Sequence, residues 1–92
     1  MANCLHLVFE PQALENSLRC FDQQDSLVLI GNGVAAAIDH QQNLPSQCFV
    51  IADEFIARGF DQSLLTSDQI QLIDMMQLVE LTETHSKSVS WK

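Results

Sequence analysis

Three kinds of residue in this chain could do chemistry: the thiols of Cys4, Cys20 and Cys48, the imidazoles of His6 and His85, and a glycine turn, Gly31-Asn32-Gly33. The turn stops an apolar run and is followed by small helix-forming residues. Gly31, Gly33 and Ala36 satisfy the G-x-G-x-x-[G/A] pattern that sets backbone amides and a helix N-terminus against a pyrophosphate, with Asp53 near the place of an acidic ribose partner. The surrounding residues speak against a nucleotide. The turn follows the second predicted strand rather than the first, the helix after it spans only Gly33 to Ile38, and no Lys or Arg occurs between Arg19 and Arg58. Four short strands, moreover, cannot build both halves of a dinucleotide site. A tight strand-to-helix turn that needs small residues accounts for both glycines.

The cysteines are odd in number and lack C-x-x-C spacing, which argues against a disulfide framework or a zinc ribbon and leaves free thiols as the expectation. Cys4 and Cys48 lie within strand patterns and read as core. Cys4 and His6 share a strand face, but two ligands without a second pair make a weak metal site, so neither a metal nor a cofactor is expected. His85, near the end of the last predicted helix, reads as a cap on its carbonyls rather than as a base.

Ninety-two residues suffice for one domain, residues 1–92, and a domain of this size buries only roughly 60 to 65% of its unfolded surface. With 47% hydrophobic residues and 17% charged ones, the chain has apolar surface that partner chains could cover. The net charge is −8 and the only cations are Arg19, Arg58, Lys87 and Lys92, too few to neutralise phosphates, so direct nucleic-acid binding is not expected. No apolar run is long enough to span a bilayer, and no secretory leader pattern opens the sequence. A cytoplasmic protein is expected.

These residues need elements to position them. Cys4 to Phe9 reads as a strand, and Ala13 to Phe21 as a helix with Leu14, Leu18 and Phe21 on one stripe. Leu27 to Ile30 and Cys48 to Ala52 read as further strands, separated by the short helix Gly33–Ile38 and a polar loop from His40 to Gln47. Asp53 should cap a helical turn from Glu54 to Arg58 that Gly59 ends. Ile70 to Ile73 reads as the fourth strand, and Asp74-Met-Met-Gln77 as a capping box opening a helix that carries Met75, Leu78, Val79 and Leu81 inward and runs to about Thr84. Ser86 to Lys92 reads as an irregular tail. The alternation implies an α/β fold, a mostly parallel four-stranded sheet with helices on both faces.

Leu5-His6, Gly33-Val34-x-Ala36-Ala37, Ala57-Arg58-Gly59-Phe60 and the ending His85 with Ser90-Trp91 together resemble the DsrH/TusB family of sulfur-relay subunits, over nearly the whole chain and in the family's order. The resemblance implies a small α/β subunit joined with two related DsrE/DsrF-like (TusD/TusC-like) subunits in a hexamer holding two copies of each. One branch relays persulfide sulfur, through a downstream carrier protein, for 2-thiolation of the tRNA wobble uridine; the other serves sulfur oxidation. Three turns depart from the family pattern. Glu10-Pro11 stands for a serine-proline pair, Asn32 for an aspartate, and Gln24-Asp25 for Gly-Asp.

A persulfide carrier needs an exposed thiolate, and Cys20 is the candidate, with Arg19 beside it. A helix C-terminus disfavours a thiolate, however, and a small apolar residue at the margin of the Leu14–Leu18–Phe21 stripe explains Cys20 as well. Some relatives carry a cysteine in this helix, in the register of Ser17 here. In the tRNA branch the resemblance implies that a sister subunit carries the sulfur, so no catalytic residue is expected in this chain. Trp91, the only Trp, is expected to anchor an interface or to dock on the flank of its own sheet.

Overall fold

The computed structural model describes residues 3–39, 44–65 and 69–92. Five short runs pair as strands: β1 (Cys4–Val8), β2 (Ser26–Leu29), β3 (Cys48–Ile51), β4 (Ile70–Ile73) and β5 (Lys87–Trp91), in the spatial order β4-β3-β2-β1-β5, every pair parallel. The helices are α1 (Leu14–Arg19), α2 (Ala36–Asp39), α3 (Ala52–Ala57) and α4 (Met75–Thr84). The chain steps outward from β1 to β4, then crosses back to the far side of β1. Right-handed crossovers require that the first three helices cover one face and α4 the other. The core divides in that way. Ala13, Leu14, Ala36, Ala37 and Phe55 pack with Val8, Leu27, Leu29, Cys48 and Val50, whereas Leu78 packs with Leu5, Val28, Ile51 and Ile73. Alternate residues of each central strand thus enter different cores, as expected where both faces are buried.

The sheet has five strands, not the expected four, because the segment read as an irregular tail is β5. It pairs with β1 in a register running from Cys4↔Lys87 to Val8↔Trp91. Lys-Ser-Val-Ser-Trp alternates with period two, but only Val89 and Trp91 are apolar and the pairing partner lies at the other end of the chain. Two further expectations fail. The first concerns α3, which starts at Ala52 directly from β3, with Ile51 in the cap position and no side-chain cap; Asp53 instead lies in the first turn, where its charge favours the helix end. The second concerns α4, which is 51% exposed at Met75 and 54% at Val79. Helical spacing puts Leu78, Leu81 and His85 on one stripe and swings Met75 and Val79 to its flank. The capping box is present, with Asp74 accepting from the Gln77 N–H at 2.8 Å and Gln77 Oε1 accepting from the Asp74 N–H at 2.9 Å.

The glycine turn is pressed onto the end of β1. A 3₁₀ segment, Gly31–Ala35, leads into α2, the Ile30 N–H donates to Val8 O at 3.1 Å, and a Cβ on Gly33 would stand 2.1 Å from that same oxygen. Gly31 has φ +59, a conformation only glycine adopts at little cost. Close packing therefore accounts for Gly33 and backbone conformation for Gly31. Of the polar loop from His40 to Gln47, residues 40–43 lie outside the described residues.

A substitution pair isolates this constraint. Gly33→Ala should cost about 3 kcal/mol, because the clash is with backbone that cannot turn aside, which lowers Tm by roughly 10 °C or more. Gly59→Ala, where φ is +85 but nothing lies within 4 Å, should cost about 1 kcal/mol. Thermal unfolding of the two variants, with equal losses, would show that Gly33 is not wedged against β1.

Candidate functional site

Beyond the end of α1, the face that this helix covers opens into a cleft of about 430 Å³. Cys4 and His6 project into it from β1, Lys87, Val89 and Trp91 from β5, and Cys20, Asp22 and Asp25 from the loop that leads to β2. Alternation places them there: in β1 the residues facing this side are 4, 6 and 8, and the β5 register sets residues 87, 89 and 91 beside them.

His6 stands at the centre of the cleft. It is 2% exposed and Asp25 is 5% exposed, and their side chains meet at 2.9 Å between Nε2 and Oδ2. Asp25 also accepts the Cys4 N–H on Oδ1 and the Asp22 N–H on Oδ2, both at 2.9 Å. On the other side of the ring, the Trp91 Nε1–H donates to His6 Nδ1 at 3.0 Å. An indole nitrogen can only donate, so Nδ1 must be the acceptor and Nε2 must carry the proton given to Asp25. Phe21 lies 5.2 Å from the imidazole centroid and the Trp91 ring 6.1 Å from it at an interplanar angle of 17°. Burial pushes the Asp25 carboxyl up, but the hydrogen bonds from His6 and from the Asp22 and Cys4 amides outweigh it and leave the group below its ordinary range.

This triad was not foreseen. Asp25 enters the sequence reading only beside the departing Gln24, where it keeps the family's aspartate, and His6 only in the Leu5-His6 motif and as half of a weak metal pair. The available signal was an acid placed immediately before a strand that neighbours the histidine's own. Among the described residues, no group of three or more His, Cys, Asp and Glu could hold a metal ion.

The thiols separate by exposure. Cys48 is fully buried and pushed up to about 12 by loss of solvent, and Cys4 is raised by burial and by the Asp25 charge. Cys20 is exposed, closes the last turn of α1 with its N–H on Ser17 O, and lines the cleft. Its neighbour Arg19 is turned to Glu15 at 3.1 Å. Ser17 is fully buried with its hydroxyl on Leu14 O. His85 does cap α4: Nδ1–H donates to Leu81 O at 2.7 Å, while Nε2 meets Ser26 Oγ at 2.9 Å. Trp91 lies half-buried on the flank of its own sheet, bound to His6.

The fold and cleft define a small five-stranded α/β domain with one exposed thiol lining a cleft built around a buried histidine. Residues 7–88 match the family described as DsrH like protein. Protein TusB of Escherichia coli (strain K12) and protein TusB of Yersinia pestis (strain Pestoides F) are each 32% identical to this chain over 80 residues, which is 80% of this chain and 82% of theirs. The solution NMR structure of protein Tm0979 from Thermotoga maritima superposes with a TM-score of 0.65 and 27% identity, covering 87% of this chain and 91% of that one. The chain belongs to the DsrH family, the family of sulfur-relay subunits that its motifs resemble. Among the described residues, no helix is long and apolar enough to cross a membrane.

Two measurements follow from the geometry. In the folded protein, iodoacetamide at mildly alkaline pH should modify Cys20 first and reach Cys4 and Cys48 only on unfolding; equal labelling of all three thiols would contradict their burial. Asp25→Asn should cost about 1.5 to 3 kcal/mol at pH 7, the range for a hydrogen bond to a charged group. A carboxylate lowered in the native state contributes stability that is complete above the ordinary value near 3.9 and is lost as the pH falls through the native one. The gap between variant and wild type in denaturant titrations should therefore narrow below about pH 4. A gap that widens in acid would have the wrong sign.

Proposed function

We propose that this chain is a structural, partner-orienting subunit of a cytoplasmic heterohexameric sulfurtransferase complex that relays persulfide sulfur for 2-thiolation of the tRNA wobble uridine. Its companions are two related DsrE/DsrF-like (TusD/TusC-like) subunits, and the complex passes sulfur to a downstream carrier protein without this chain touching nucleic acid. The observation that carries this is membership of the DsrH family together with the similarity to TusB proteins over most of the chain. Surface composition supports assembly. Met75, Met76 and Val79 on α4 and Ile56 and Leu64 beyond β3 are exposed apolar residues, and β4 and β5 are edge strands. Trp91, at the end of the β5 edge, is the proposed interface anchor. Two of the three thiols are buried, which supports a structural role.

A second reading has one observation in its favour: the exposed Cys20 thiol lines the cleft. On that reading the chain is a DsrH-like subunit of a sulfur-oxidation relay and Cys20 carries the sulfur. The two separate in one experiment. Cys20→Ser should leave relay by the assembled complex largely intact and cost about 1 kcal/mol or less; persulfide found on Cys20 by mass spectrometry under turnover, with loss of thiolation in the variant, would promote the second reading.

Assembly tests the anchor. Co-expressed with its two sister subunits, the chain should co-purify with them, and Trp91→Ala should raise its Kd at least 30-fold, the effect of about 2 kcal/mol at an interface. A well-behaved monomer that ignores its sisters, or an unchanged Kd, would sink this part of the proposal.

A further inference from the structure

The contact between Trp91 and His6 is conditional on protonation. A neutral imidazole has one donor and one acceptor. Asp25 already takes main-chain donors on both oxygens and also receives the imidazole Nε2–H, so Nδ1 is left to accept, and the indole N–H meets it at 3.0 Å. Once protonated, the ring donates from both nitrogens, and two N–H groups would face each other across that distance.

One partner must then move. The groups facing His6 decide which one: Asp25 and Asp22 from the loop before β2, Cys4 from its own strand, Cys20 from the end of α1, and Lys87 and Trp91 from β5. Asp25 bonds the charged ring more strongly than the neutral one. His6 is buried mid-strand and pinned by that pair, whereas Trp91 lies on the edge strand β5, half-buried, and its N–H can find water. Trp91 is the group that yields.

We infer that His6 is a proton-operated latch that positions the Trp91 indole, holding it against the cleft when neutral and releasing it when protonated. Asp25 is a positioning residue of the same device, since it fixes the tautomer in which Nδ1 accepts. The latch stands on the contact itself; its consequence, that assembly through Trp91 weakens in acid, rests on the interface proposed above.

Trp91 is the only Trp and the chain has no Tyr, so indole emission reports this one contact. Emission of the full chain, scanned from about pH 8 to pH 5 where histidines change charge, should shift to the red with a one-proton profile while the far-UV circular dichroism stays constant. His6→Gln, whose amide offers an acceptor to Trp91 and a donor to Asp25 without titrating in this range, should abolish the shift. Emission that does not change with pH in the wild type, or the same profile in His6→Gln, would overturn the latch. If that variant does not fold, ¹⁵N shifts of the wild-type imidazole decide: the Nε2–H tautomer at neutral pH is required, and an Nδ1–H tautomer refutes it. Loss of the latch leaves the interface proposal standing, and an unchanged Kd in Trp91→Ala overturns the interface while leaving the latch intact.

Discussion

β1 is paired on both edges and buried on both faces, and the rest of the molecule is arranged around that constraint. Its backbone holds β2 on one side and β5 on the other; its end takes the Ile30 N–H and leaves no room for a side chain on Gly33. A strand in this position should carry apolar residues throughout. Leu5 and Val8 are fully buried and Cys4 nearly so, but His6 sits among them. The placing of Asp25 and Trp91 follows from making that one histidine compatible with a buried strand.

A buried imidazole is costly unless both nitrogens are satisfied. The fold does this with residues that lie 19 and 85 positions away, Asp25 and Trp91. Asp25 in turn would be a buried charge with one neutral donor, were it not for the amides of Cys4 and Asp22. Three strand neighbourhoods are thereby joined through side chains as well as through backbone pairing: the start of β1, the approach to β2 and the end of β5. Such a pair adds specificity of register rather than bulk stability, because a one-residue slip of β5 would carry Trp91 to the opposite face.

Local signals made much of the fold legible. The capping box at Asp74 and Gln77, the ends of β4 and the left-handed Gly59 that closes α3 are each determined within a few residues, and all stand where the sequence placed them. Features defined by distant partners were not legible. β5 has only two apolar residues, and what makes it a strand is the edge of β1. Met75 and Val79 match an inward period, yet the sheet is narrow enough that α4 buries only the stripe of Leu78 and Leu81. The cleft was hidden for the same reason. Cys20 and Trp91 attract notice by residue type, but His6 and Asp25 gain their meaning from an alignment of strands that no local pattern encodes.

Open parallel sheets offer ligands a crevice beyond the carboxyl ends of the strands, where the strand order reverses. Here that reversal falls between β1 and β5. The carboxyl end itself is occupied: the glycine turn lies on Val8, and Asn32 donates to Glu10 at 2.9 Å while accepting from Arg58. The open space lies instead along the flank of the same two strands, reaching from Cys4 and Lys87 at their amino ends to Trp91. A turn whose glycines fit a nucleotide pattern thus serves to close the usual site, and the exposed thiol and the indole are both displaced to the side of the sheet. Side placement suits contact with another protein, because a flank bounded by an edge strand can be reached by a partner's surface without the sheet having to open.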